Sequence, residues 1–157
     1  GTHTLYEHND AFTLINHKDP DNPKIAYMVK FETKFHKFLN RKCVTQVKVW
    51  RNKADPITEG IAKKVFFDHL LFNYGTILTD ALQTKDGEGF WDIRINEALS
   101  KGLLVYYINF FESKEIIQIK TSDEYEDIKH GKPVWGDSGK YRGRKILITN
   151  KTLTFRK

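Results

Sequence analysis

The residues best suited to chemistry surround a glycine near the start of a predicted helix. Asp55-Pro56 is a typical helix start, because Asp caps free backbone N–H groups and Pro suits the first turn. A helix N-terminus presents N–H donors and the positive end of the dipole, and glycine allows close approach. The physics of such a helix start suits a phosphate at Gly60, and Lys63 adds positive charge. The alternative is that Gly60 merely permits close packing of helix on sheet.

A candidate catalytic carboxylate follows a predicted central strand. The stretch from Thr76 to Asp80 favours a strand, and Asp80 stands at its carboxyl end, where clefts in α/β proteins open. We expect Asp80 to be an acidic site residue; the alternative is that it caps the following turn. Gln46, a polar residue in an apolar strand, either bonds a substrate or faces solvent.

Two clusters mix basic and aromatic residues. Lys48 and Arg51 flank Trp50, and a later loop carries Trp135, Arg142 and Arg144. Phosphates attract Lys and Arg, and unpaired bases stack on aromatic rings, so both clusters are candidates for binding nucleic acid. The alternative for the second cluster is a solvated basic loop with Trp135 packed inward.

Composition sets the class of protein. The chain has 157 residues, a net charge of +6 and one cysteine, Cys43. That length suits one domain, residues 1–157, possibly cut from a longer protein, and the charge allows an acidic partner. A lone cysteine cannot form an internal disulfide, and the histidines lack metal-ligand spacing, so we predict no metal. Without an apolar run of membrane-spanning length, we expect no membrane partner and a cytoplasmic location.

The order of predicted elements indicates an α/β (α+β) fold. Alternating segments predict an antiparallel meander that includes strands at 11–17, 25–38 and 44–50. Helix, strand, helix and strand follow, and 145–149 closes the sheet. We expect one domain with a central, mostly antiparallel, twisted sheet and helices on its faces.

This order resembles the GNAT acetyltransferase superfamily over about Phe12 to Thr149. Gly60-Ile61-Ala62 matches part of the family's Arg/Gln-x-x-Gly-x-Gly/Ala motif, although Ile57 stands where Arg or Gln is usual. Lys101-Gly102-Leu103 is similar to a second family region. The resemblance implies that acyl-CoA lies in a V between two splayed strands, with its pyrophosphate on the helix start.

The resemblance also implies roles for individual residues. Trp50 and the Gly60 segment would bind acetyl-CoA, and an amine would receive the acetyl group. The family often has a tyrosine general acid; Tyr106, on the strand after the second helix, is the candidate, and a core position is its alternative. The functional prediction is an acyltransferase whose amine substrate lies on an acidic macromolecule. The alternative is a non-catalytic domain on the same scaffold that binds nucleic acid or protein.

Overall fold

In the part of the chain that the structure describes, eight strands form one sheet with helices packed against it. The structure is a computed structural model, which describes residues 1–79, 85–111, 114–134 and 143–153. The strands are β1 His3–Glu7, β2 Ala11–Asn16, β3 Lys24–His36, β4 Arg41–Arg51, β5 Thr76–Leu78, β6 Leu104–Asn109, β7 Ile116–Ile119 and β8 Arg144–Thr149. β1, which pairs with β2, is absent from the predicted elements.

Three helices follow the meander. Helix α1 is continuous: Ile61–Lys64 is α-helical, Val65–Leu71 is wound as a wider π-helix, and Phe72–Tyr74 is again α-helical. Helix α2 spans Lys85–Ser100 and α3 spans Ser122–Gly131. Among the described residues, no helix is long and apolar enough to cross a membrane.

The strand order across the sheet is β1-β2-β3-β4-β5-β8-β6-β7. β4 and β5 run parallel, and the other neighbouring strands run antiparallel. This confirms the predicted mixed, mostly antiparallel sheet. Parallel neighbours need a crossover connection, and here α1 supplies it.

The helices cover one face of the sheet. Side chains from all three helices join one large core with alternate residues of the strands, for example Val65, Trp91 and Tyr125 with Val29 and Val105. A smaller core on the other face contains, in the described part of the chain, residues from strands and connecting segments alone. We expected helices on the faces of the sheet; the described helices share a single face.

The start of α1 differs from its prediction. Asp55 does act as a cap, but for a short 3-10 turn, Pro56–Thr58, in which its carboxylate accepts from the Ile57 N–H at 3.2 Å. The helix proper begins at Ile61, after Gly60. Gly60 has a φ of 76°, a left-handed conformation that glycine adopts without strain. The chain therefore turns twice between β4 and α1, so Gly60 lies directly before the first helical residue.

The buried side of α2 gives a direct test of stability. Ile95 is fully buried in the large core, whereas Ile93, two residues earlier, is 57% exposed. Ile95→Ala should lower the free energy of unfolding by about 2–5 kcal/mol, because it removes buried methyl groups and leaves a cavity. Ile93→Ala, the matched control, should change it little. Urea denaturation measures both, and equal effects would contradict the described packing.

Candidate active-site cleft

The two parallel strands pair at one point of the described ladder, Val44 of β4 with Ile77 of β5. On its other edge β5 pairs with β8, and the Thr79 N–H extends that ladder by donating to the Ile146 carbonyl at 3.0 Å. The Thr79 hydroxyl also accepts from the Ile146 N–H at 3.0 Å. β4 continues beside β3 to Arg51, whereas β5 ends at Leu78, so in the described residues no strand pairs with β4 on its β5 side beyond Gln46. We call this unpaired edge of β4, next to the end of β5, the candidate cleft.

A β-bulge marks the place where β4 leaves its parallel neighbour. Lys48 pairs with Lys30 and Gln46 pairs with Phe31, which leaves Val47 as the extra residue. Bulges bend a strand and occur often beside active sites. Val49, after the bulge, is 43% exposed although its partner across β3 is fully buried. The second half of β4 therefore presents an open edge.

The start of α1 lies at the open end of this cleft. Because α1 connects two parallel strands, it runs back along the sheet, and its first residue lies toward the carboxyl end of β4. Gly60 is the N-cap and contributes no side-chain hydrogen bond to the helix. The first N–H groups of a helix lack intrahelical partners and attract anions. The backbone at Gly60 is thus suited to a phosphate.

The other residues of the predicted phosphate site have different surroundings. Ile61 and Ala62 are partly buried against the large core. Lys63 forms an ion pair with Glu97 of α2, with Nζ and Oε2 3.1 Å apart, and Glu97 also pairs with Arg94. Two basic groups share one carboxylate, so this corner keeps net positive charge while Lys63 is held in place.

Gln46 is the most unusual residue beside the cleft. It lies two residues beyond Val44 and is 5% exposed. In the described part of the chain, neither its amide oxygen nor its amide nitrogen has a hydrogen-bond partner. A buried polar group without a partner costs about 1–3 kcal/mol. Gln46 therefore does not face solvent, one of its two expected positions, and its amide suits a ligand that offers both a donor and an acceptor.

A second buried polar group lies on β3. The Tyr27 hydroxyl is fully buried and has no partner among the described residues. Burial raises the pKa of Tyr27 above its usual range, and nearby Arg94 partly opposes that shift. Burial also lowers the pKa of Arg94, against the opposing effect of Glu97. A cation and a phenol thus lie together beneath α2.

The structure describes one of the two predicted catalytic residues, Tyr106. Tyr106 is buried on β6 in the smaller core, and β8 lies between β6 and β5. Tyr106 therefore does not line the cleft, and its position is that of a core residue. Asp80 lies outside the described residues, directly after Thr79 in the chain.

Three of the five predicted nucleic-acid residues are described, and these three do not share one surface. Lys48 and Arg51 point to opposite faces of β4, since Lys48 pairs with Lys30 and Arg51 with buried Tyr27. Arg144 lies on β8, where its guanidinium donates to the Pro133 carbonyl at 3.3 Å. Trp135 and Arg142 lie outside the described residues. Trp50 is half-exposed and shares the face of Lys48.

Sequence reasoning missed a polar cluster at the end of the meander. His3 Nε2 lies 2.8 Å from the Asp55 carboxylate, and the Asn16 amide donates to the same oxygen at 3.0 Å. The hydrogen bond from His3 is the main cause that holds the pKa of Asp55 below its usual value. These residues border an open cavity of about 650 Å³. They are distant in sequence and carry no motif, so no local signal could have joined them.

The described residues offer little for metal or thiol chemistry. Among them, no group of three or more His, Cys, Asp or Glu side chains could hold a metal ion. Cys43 is buried, and burial raises the pKa of its thiol to about 12, so it is not a nucleophile at neutral pH.

No protein-family model matches the chain, and searches of curated proteins and of solved structures gave no match.

The His3–Asp55 contact predicts a pH-dependent contribution to stability. The pKa of Asp55 is lowered in the folded state, so its contribution is present above the ordinary value of 3.8 and is lost as pH falls through the folded-state value. Asp55→Asn should therefore destabilise the protein at pH 7, and the difference from wild type should shrink in acid. Urea denaturation of wild type and Asp55→Asn, at pH 7 and in acid, measures this difference in the free energy of unfolding. Asp21→Asn, in an exposed turn, is the control; a constant Asp55→Asn deficit would contradict the proposed linkage.

Proposed function

We propose that this domain is a GNAT-like N-acyltransferase that binds acyl-CoA between β4 and β5 and transfers the acyl group to an amine. One observation carries the proposal. β4 and β5 pair at Val44 and Ile77, no strand pairs with the later part of β4 on that side in the described residues, and α1 begins after Gly60 toward that end of β4. In the superfamily that the sequence resembles, acyl-CoA lies in a V between the corresponding strands and its pyrophosphate sits on the corresponding helix start.

The residues around the cleft suit that ligand. The first N–H groups of α1 would bind the pyrophosphate, with positive charge from nearby Lys63 and Arg94. The open edge of β4 after Val47 offers main-chain donors and acceptors to the amide-bearing arm of the cofactor. Gln46 offers a further donor and acceptor from a buried position.

Acyl-CoA, when bound, supplies the acyl group as a reactive thioester. The protein then needs to hold the amine near the carbonyl carbon, polarise the carbonyl oxygen and accept a proton from the amine. Main-chain N–H groups at the β4 bulge are suited to the carbonyl oxygen. Asp80, which follows β5 in sequence, stays our candidate for the group that accepts the proton.

A second candidate is a non-catalytic domain on the same scaffold. Ile57 stands where the family has Arg or Gln, and its apolar side chain, which is 54% exposed, cannot donate a hydrogen bond to a phosphate. Lys63 is engaged by Glu97. Both facts favour a chain that has kept the fold and lost the cofactor. A titration with acetyl-CoA separates the two candidates.

Titration calorimetry with acetyl-CoA tests the proposal. Wild type should bind, and Gly60→Glu should abolish binding, because it places bulk and negative charge at the phosphate site. Gly102→Glu is a matched control: Gly102 has a φ of 75° against 76° for Gly60, and an added Cβ meets nothing within 4 Å at either position. It carries the same backbone strain and charge and should leave binding intact. Absence of wild-type binding at millimolar acetyl-CoA would favour the non-catalytic domain.

Gln46 predicts opposite effects on stability and on binding. Gln46→Leu removes a buried amide without partners, so it should raise the free energy of unfolding by about 1–3 kcal/mol. The same change should weaken acetyl-CoA binding, because it removes a ligand contact. Thermal denaturation and calorimetry measure the two effects. Gln118→Leu is the control, because Gln118 is the exposed residue of β7. A destabilised Gln46→Leu protein would show that the amide is already satisfied.

A further inference from the structure

We propose that the face of the meander opposite the helices binds single-stranded nucleic acid. This surface, called here the open face, consists of the outward residues of β1–β4. Its residues are Tyr6, Thr13, Met28, Trp50, Ala11, Lys30 and Lys48. The proposal does not depend on whether the cleft binds acyl-CoA.

Strand register defines the open face. Leu5, Phe12 and Val29 pack in the large core beneath the helices. Neighbours along each strand point the opposite way, because side chains alternate between the faces of a sheet. Tyr6 and Lys30 therefore project away from the helices. In the described part of the chain, the smaller core on that side takes no residue from β1, β2 or β3.

One row of paired side chains runs across β1–β4 and has an aromatic ring at each end. Tyr6 pairs with Thr13, Thr13 with Met28, and Met28 with Trp50, so four adjacent strands each contribute one residue. Tyr6 is 52% exposed and Trp50 is 46% exposed. Three strand spacings separate them, about 14 Å, with the shorter Thr13 and partly exposed Met28 between. Exposed rings on a sheet surface are platforms on which unpaired bases stack.

Two lysines form the adjacent row. Lys30 and Lys48 lie directly opposite each other on β3 and β4, and both are exposed. Like charges in such a pair destabilise a sheet, and within the described residues neither lysine forms an ion pair. Glu32 is further along β3, on the side of Lys30 away from Met28. An anionic partner that lies along the two rows would relieve this repulsion.

The combination of rows favours a single strand over a duplex. Phosphates would follow the lysine row while bases lie on the aromatic row, which requires bases that are not paired. A duplex keeps its bases stacked on one another and offers the open face its phosphates alone. The net charge of +6 adds long-range attraction for any polyanion.

Fluorescence anisotropy with a labelled oligothymidylate of about 12 nucleotides tests the proposal, since single-strand sites span about 4–16 nucleotides. Wild type should bind this strand more tightly than the duplex of the same length. Trp50→Ala should weaken single-strand binding about 5- to 150-fold. Phe72→Ala is the matched control, because Phe72 is an exposed aromatic residue on α1 and should not matter.

The lysines are tested through the salt dependence of binding. Lys30→Ala with Lys48→Ala should flatten the plot of log affinity against log salt by about 1.4, since each single-strand phosphate contact contributes about 0.7. Lys64→Ala with Lys120→Ala removes the same charge elsewhere and should leave the slope nearly unchanged. No variant should melt below the wild-type temperature, because every substituted side chain is exposed and the Lys30–Lys48 repulsion is removed, not added.

Three results would overturn the proposal. The first is no binding of the oligothymidylate at low salt and micromolar protein. The second is an equal loss for both lysine pairs, which would show attraction by net charge alone. The third is capture by phosphatidylserine vesicles that exceeds oligothymidylate binding and depends on Trp50, which would assign the open face to a membrane surface.

Discussion

One parallel contact, Val44 beside Ile77, joins the two halves of the sheet. Strands β1–β4 form one half, and β5, β8, β6 and β7 form the other. Two parallel strands cannot be joined by a tight turn, so the connection from β4 to β5 runs back along the sheet through α1. That requirement places the start of α1 toward the carboxyl end of β4. Because the described contact is short, the later part of β4 keeps an unpaired edge, which is the candidate cleft.

The described helices on one face give the molecule two dissimilar surfaces. On the helical side, the cleft and the start of α1 are bordered by buried polar groups such as Gln46 and Arg94. On the other side, the meander carries exposed rings and lysines with no helix over them in the described chain. The two proposed ligands, acyl-CoA and single-stranded nucleic acid, would therefore bind on opposite sides of β4.

Most helices and strands could be predicted from the sequence, because apolar residues on a buried face recur at the spacing of a strand or a helix. The alternation along β3 and the Trp91–Ile95 spacing in α2 both correspond to buried faces. The bulge at Val47 was not predictable, since register depends on the partner strand. Gln46 was noticed as polar, but its burial without partners is a tertiary property. His3 and Asp55 are brought together by packing alone, and β1 is too short for a clear pattern.

Residue-resolved amide hydrogen exchange, with and without acetyl-CoA, tests the central claim most directly. The account predicts that the cofactor slows exchange at the open edge of β4, Val47 to Arg51, and at the first residues of α1, Ile61 to Lys63. Amides on β6 and β7, beyond β8, should be unaffected. Protection confined to β6 and β7, or no change at saturating acetyl-CoA, would contradict a cofactor cleft between β4 and β5.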